Sequence, residues 1–401
     1  EGVKMALRDD KGGFKYPGFN PLEVPNEPTS VDVAAGDAEA TVSFTAPVNS
    51  GGGAITGYQA TTTAGDSITG SASPLTLTGL TNGTTYNVRV WALNSFGPGP
   101  YGAGSASPVA SIGLIALGLN NGGTPIDVIN RITINSSGNA TDFGNLTIAR
   151  GSAGSVSSAT RGVFIGGESS GGNVDVMDYV TISSTGNATD FGNLDSAKSA
   201  LFGAGSSTRG IFGNYDSTYD YITIASTGNA ADFGNSVTYS NVFLATAASS
   251  PTRMVTMGNG GASQNEYMEY LTISTTGNAT TFGNLNVGVG SSANGCMSSG
   301  TRGICAGGET DSAARSNFIQ YITIATTSNA TDFGDLTTSG SNNAGTSSTA
   351  KAIITLGATA SISNVIEEIT IATTGNSTDF GDLTQGAYKQ VGLSNSHGGL
   401  S

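Results

Sequence analysis

The chain has 401 residues, 60 of them glycine, and only 11% of its residues are charged. Fifteen basic residues stand against 29 acidic ones, a net charge of −14, so the basic footprint that nucleic-acid phosphates or anionic membrane surfaces require is missing. No apolar run has the length of a membrane span, no stretch carries the three-and-four spacing of an amphipathic helix, and Val, Ile, Thr, Tyr and Phe gather in short runs between turn residues; an all-β chain is expected.

No secretory leader is visible, although the chain opens on Glu1 rather than Met, which leaves an upstream segment open. Residues 1–24 hold Lys4, Arg8, Asp9, Asp10, Lys11 and Lys15 beside Phe14, Tyr16, Pro17, Phe19 and Pro21. This stretch has too little apolar mass to fold alone. It suits an arm that docks on a partner; a loose terminus is the equal alternative.

Residues 25–110 read as about seven short strands. Ala40–Thr45 and Ile55–Thr62 alternate apolar and polar residues, followed by Leu75–Leu77, Leu80 and Tyr86–Asn94. Period-two alternation with frequent turns is the pattern of a β-sandwich. Leu77-Thr-Gly-Leu-Thr-Asn-Gly-Thr-Thr-Tyr86 looks like a tyrosine corner, in which a buried phenol bonds back to the chain just upstream. With Gly57-Tyr58, Val88-x-Val90 and Ala92-x-Asn94-x-x-Gly97-x-Gly99, the segment resembles a fibronectin type III domain, with Phe44 where that family usually has tryptophan. The resemblance implies a spacer or binding module rather than chemistry.

Residues 111–401 repeat one sentence six times. Tyr179-Val-Thr-Ile-Ser-Ser-Thr-Gly-Asn-Ala-Thr-Asp-Phe-Gly-Asn-Leu194 is a clear copy, and the shared phenylalanine falls at Phe143, Phe191, Phe233, Phe282, Phe333 and Phe380. The steps are 48, 42, 49, 51 and 47 residues, the period of a repeat architecture. Each copy offers a strand such as Arg161–Gly167, a variable loop, a Tyr-Ile-Thr-Ile strand, a Thr-Gly-Asn turn, Asp-Phe-Gly-Asn-Leu, and a last strand such as Ser199–Gly203. Up to four strands per period match one propeller blade. A Gly-Gly pair, then Tyr179, then Phe191 resembles the kelch repeat, with Phe near the usual Trp position and the second glycine missing in some copies. The expected fold is therefore a fibronectin type III sandwich followed by a six-bladed kelch-like β-propeller. Its C-terminal strand would complete the blade begun at Ile112, with Ser396–Leu400 loosely matching the start of a copy; a straight β-solenoid is the alternative.

No cluster points to catalysis, a metal or a cofactor. Asp142, Asp190, Asp232, Asp332 and Asp379 recur before the phenylalanine, and Arg161, Arg209, Arg253 and Arg302 recur at the other end of the copies. Carboxylates spaced once per blade stand too far apart for calcium, so the expectation is structural, with Asp capping a turn or pairing with an Arg. Asp-Phe-Gly here is no kinase motif, because the phosphate loop and His-Arg-Asp are missing. Asn139, Asn187, Asn278, Asn329 and Asn376 fit the N-glycan pattern, but turn chemistry explains them as well. His397 is the single histidine, too little for a triad or a histidine metal site. Cys296 and Cys305 have no disulfide framework around them, which is compatible with assembly in a reducing cytoplasm. The variable loops are the contact candidates, with Tyr215, Tyr219, Tyr267 and Glu309 as residues that could meet a sugar; the tyrosines could equally pack within the blades.

A sandwich paired with these Thr-Arg-Gly and Gly-Asn-Ala-Thr-Asp-Phe-Gly copies is similar to structural proteins of marine tailed phages, cyanophages among them. The resemblance implies a non-enzymatic virion component: a tail fibre, tail appendage or capsid fibre. The arm would anchor on other virion proteins in the host cytoplasm. The propeller would be displayed on the particle surface toward host cell-surface glycan. Fibres of this kind are often homo-oligomers. A purely structural decoration protein and an envelope polysaccharide-degrading enzyme are the alternatives.

Overall fold

The computed structural model describes residues 7–8, 14–15, 23–116, 118–214, 217–237, 245–260, 264–288, 297–310 and 314–400. The arm expected over residues 1–24 lies almost wholly outside them; within it Leu7–Arg8 pairs antiparallel with Phe14–Lys15. The chain divides into two compact units, 1–110 and 111–401. Both are all-β; the single helical element described is a short 3-10 turn, Gly398–Leu400.

The first unit is two antiparallel sheets. Thr29–Ala35, Glu39–Thr45 and Leu75–Thr78 form one; Ser67–Gly70, Gly57–Thr62, Tyr86–Asn94 and Gly97–Ala106 form the other. The alternation seen in the sequence is the burial pattern itself: every second residue of Glu39–Thr45 and Tyr86–Asn94 is buried. Val42, Phe44, Tyr58, Leu77, Val88 and Val90 meet in one core, with the Phe44 and Tyr58 ring centroids 4.7 Å apart. The corner is present: the Thr81 amide donates to Tyr86 Oη at 3.0 Å.

The second unit is six antiparallel sheets in chain order. The third shows the plan: Phe202–Gly205, Arg209–Gly213, Thr218–Thr223 and Ala231–Asn235, paired in sequence. The expected copies are out of phase with the sheets by one strand. The last strand of each copy is the first strand of the next sheet, so Phe202–Gly205 joins the third sheet, not the second. The first sheet therefore lacks a preceding copy. Val391–Ser394 from the C-terminus fills the place and pairs with Ile112–Ala116, Leu114 opposite Leu393. Ser396–Leu400 does not start another strand; it turns into the 3-10 segment.

Cores form between neighbouring sheets. Phe202, Ile211, Tyr219 and Phe233 of the third pack with Met254, Leu271 and Ile273 of the fourth. One such cluster joins the two ends of the array, with Ile353, Ile366 and Phe380 of the sixth sheet against Ile115, Ile132 and Ile134 of the first. The repeated phenylalanine is 2–3% exposed in all six copies, and burying each one contributes about 1.5–3 kcal/mol.

The glycine after it has its own reason. Gly144, Gly192, Gly234, Gly334 and Gly381 have φ of 146–152°. In all six copies a Cβ there would come within 2.2–2.6 Å of the backbone of the next copy's turn. Only glycine allows both. The turn's asparagine uses that close approach. Asn187 Oδ1 accepts from the Asn145 amide, Asn229 from Asn193, Asn278 from Asn235, Asn329 from Asn284 and Asn376 from Asp335, all at 3.0 Å; Asn139 accepts from Asp382 at 3.1 Å, from the last copy back to the first. These side chains serve the sheet-to-sheet joint, and none of the six asparagines takes the left-handed φ that a tight Gly-Asn turn would use.

Candidate functional surface

The repeated charged residues hold the scaffold, but not as expected. Asp142, Asp190, Asp232, Asp332 and Asp379 are exposed, and no hydrogen bond or ion pair to an Arg joins them among the described residues. The arginines stack instead on the tyrosine two residues before the end of the facing strand. The guanidinium carbon lies 4.3 Å from the Tyr179 ring for Arg161, 4.6 Å from Tyr221 for Arg209, 4.2 Å from Tyr270 for Arg253 and 4.5 Å from Tyr321 for Arg302. Each also donates to a carbonyl of the following sheet, at Ile224, Ile273, Ile324 and Ile371, at 2.9–3.0 Å. A planar cation can stack on a ring with its face while it donates from its edge. In the sixth copy the pair becomes Lys351 and Glu368, 2.6 Å apart.

A second repeated device escapes sequence reading. The residue before that tyrosine, or before Arg131 and Glu368 in the first and sixth copies, is a buried polar group: Asn130, Asp178, Glu269, Gln320 and Glu367, with Asp220 half-buried. All but Asp220 accept from the chain that follows the preceding copy's Asp-Phe-Gly strand. Asp178 takes Thr147 Oγ1 at 2.6 Å, Glu269 the Val237 amide at 2.9 Å, Gln320 the Asn286 amide at 2.7 Å, and Asn130 takes Thr384 Oγ1 at 2.6 Å. Glu367 is bonded by Thr337. Asp220 is met by Lys198 at 3.3 Å; burial pushes its carboxyl above the usual range against the pull of Lys198. Asp178 also carries Arg150 at 2.8 Å, both side chains fully buried. Burial holds the Arg150 pKa below its ordinary value, and Asp178 opposes that fall. Because Asn, Asp, Glu and Gln alternate here, only lining up the copies at the tyrosine would have revealed the position.

Among the described residues, serines on successive sheets are bonded one to the next. Ser157, Ser394, Ser347, Ser298 and Ser249 each donate a hydroxyl to the backbone of the next strand around, ending on Gly205 O, at 2.5–3.2 Å. Gly205 has no hydroxyl to return the bond to Ser157. His397 occupies that break: its Nδ1 accepts from the Gly399 amide at 3.1 Å, so Nε2 carries the proton and donates to Ser157 O at 3.2 Å. It is 2% exposed and has a structural part. No group of three or more His, Cys, Asp or Glu is placed to hold a metal ion among the described residues. Cys305 is buried; Cys296 lies outside the described residues.

Of the four contact candidates, Tyr215 lies outside the described residues. Tyr219 is corrected: it is fully buried, edge-on to Phe202 at 6.3 Å, and burial raises its phenol pKa far above the usual value. It faces the core because its strand neighbour Asp220 takes the other side of the sheet. Glu309 is half-exposed and accepts from Ser341 Oγ at 3.1 Å. Tyr267 is 45% exposed, and the sequence reading missed its counterpart Phe318, 39% exposed. Open space recurs at equivalent places. Three shallow grooves of about 370, 200 and 390 Å³ lie over the Thr-Gly-Asn turns of the sixth, third and fourth copies, lined by Thr373, Gly375 and Asn376, by Thr227, Gly228 and Asn229, and by Thr275, Gly277 and Asn278.

Residues 26–107 match the family model for the fibronectin type III domain. This segment is a fibronectin type III domain. Its seven strands, its corner and its core follow from the alternation that the sequence carries. The match covers the sandwich and leaves the six-sheet unit unassigned. No curated protein matches the chain.

Proposed function

We propose that the chain is a non-enzymatic component of a bacteriophage particle, a tail fibre, tail appendage or capsid fibre. In this reading its six sheets form a kelch-like six-bladed β-propeller displayed for attachment to the host surface. The observation that carries the reading is the cyclic order of the joints, in which the sixth copy bonds back to the first through Asn139 and the C-terminal strand completes the first sheet. A toroid closed this way presents its inter-strand loops as a stiff array, and the fibronectin type III domain is a non-catalytic module suited to hold such an array away from an anchor. Strands whose serines and His397 are bonded to backbone favour display over chemistry.

The test has two parts. Cryo-EM of intact particles with an antibody against residues 111–401 should place the chain on the outside of the virion. Fluorescently labelled protein should then bind host cells. A regular copy number on the particle without cell binding would make it a decoration protein. Release of reducing sugar from host envelope would make it an enzyme.

A further inference from the structure

We infer that the outer face of the four-stranded sheet of the fibronectin type III domain, at Arg89, Trp91 and Tyr101, binds a hexuronic acid residue of an acidic polysaccharide. This site is separate from the attachment reading and stands whether or not the six-sheet unit meets a host.

The domain carries one cation. Arg89 is the only Lys or Arg between residues 25 and 110, where Glu27, Asp32, Asp37, Glu39 and Asp66 also stand, and none of these acids lies in the four strands of this sheet. Period-two alternation turns Val88 and Val90 into the core and Arg89 and Trp91 outward. Trp91 is flanked by Tyr101 on one neighbouring strand and Gln59 on the other, with Thr69 beyond Gln59; Thr61 pairs with Arg89. Trp91, the chain's single tryptophan, is half-buried, and Tyr101 is 44% exposed; neither belongs to the core. Their ring centroids lie 5.7 Å apart at an interplanar angle of 63°, and the Arg89 guanidinium carbon lies 4.8 Å from the Tyr101 centroid. The three side chains are one contiguous group on a sheet.

Stacking orients the guanidinium and leaves its edge open. Arg161, Arg209, Arg253 and Arg302 stack on tyrosines in the same way, but each also donates to a backbone carbonyl. Among the described residues no hydrogen bond or ion pair reaches Arg89. A guanidinium fork held this way matches a carboxylate through two parallel N–H···O bonds.

The rest of the ligand follows from the neighbours. The face of an aromatic ring carries negative charge density, and the C–H face of a pyranose offers weakly positive hydrogens to it. Arg89 and Trp91 are two residues apart on one strand, about 7 Å, so a sugar ring over Trp91 brings its own carboxyl toward Arg89. Gln59 donates Nε2 to Ser67 at 3.2 Å and keeps Oε1 for a hydroxyl, and Thr61 and Thr69 add hydroxyls of their own. One cation answers one carboxylate; nucleic acid and sulfated chains carry denser charge and need several. An acidic peptide offers the carboxylate without the pyranose face.

The test is native electrophoresis of the full chain through gels holding polygalacturonate, alginate or hyaluronan. The methyl ester of the retarding polymer keeps the sugar ring and removes the charge; dextran sulfate and polyglutamate supply charge without a uronate. Retardation is expected in at least one polyuronate and in none of the three controls. Arg89→Gln and Trp91→Thr should each weaken it about tenfold, the equivalent of about 1.4 kcal/mol. Circular dichroism melts should show both variants folded, and if Trp91→Thr is not, the exposed Arg89→Gln decides alone. No retardation in any polyuronate, equal retardation by the methyl ester or dextran sulfate, or an Arg89→Gln that runs like the parent overturns the site. Equal retardation by polyglutamate overturns it in favour of an acidic peptide. A concentration-dependent dimer, by sedimentation, that Arg89→Gln loses overturns it in favour of an interface between copies.

Discussion

The fibronectin type III domain and the six-sheet unit are both antiparallel and all-β, yet their cores close differently. The sandwich closes once, when Val42, Phe44 and Leu77 of one sheet meet Tyr58, Val88 and Val90 of the other. The six-sheet unit builds cores between neighbouring sheets, and one of these spans its two ends. Loss of a core residue in the sandwich is felt by the whole domain. In the array each joint is local, and the joint between the ends is the one that no neighbouring copy can replace. A repeat unit needs its neighbours to bury its faces, so the closing strand carries more than its four residues suggest.

That contrast predicts a graded set of outcomes. Truncation after Gln390 removes Val391–Ser394 and His397 and leaves Ile112–Ala116 with an open edge. Calorimetry should lose the cooperative transition of the six-sheet unit while that of the sandwich remains; two unchanged transitions would refute the closing role. Asp178→Ala comes next. It strands a fully buried Arg150 and should cost about 3–5 kcal/mol, read as a fall in the urea midpoint of the six-sheet unit alone. Asn343→Leu should act in the opposite direction. Asn343 is fully buried with no hydrogen-bond partner for either amide atom, and it holds the place that Leu201 fills three copies earlier. The leucine should raise stability by about 1–3 kcal/mol, seen as a higher melting temperature. The smallest effect belongs to the sandwich: Tyr86→Phe removes the bond from the Thr81 amide and should cost about 1 kcal/mol in the first transition only.

Much of this was legible beforehand. The alternation over Glu39–Thr45 and Tyr86–Asn94 marked the buried face, and the tyrosine corner could be read from residues 77–86, because these are properties of neighbours in the chain. The Thr-Gly-Asn segment was visible as a turn, but not the bond its asparagine makes to the preceding copy, 36 to 45 positions away in the chain. Of the two structural parts expected for Asp142 and its relatives, pairing with an Arg is not made among the described residues, because the register puts a tyrosine ring under Arg161. Tyr219 and Tyr267 looked alike in the sequence; one is in the core and the other exposed because their positions within the strand differ.

By itself the sequence determined the β class, the period of the copies and the place of each phenylalanine and glycine in them, since period-two burial and tight turns are written within a few residues. Only the tertiary structure decided which strand begins each sheet, what stacks on each arginine, and how His397 fills the gap beside Gly205. Those contacts join residues far apart in the chain, up to the 283 positions between Ile112 and Asn395, and no local pattern fixes which distant edge a strand will meet.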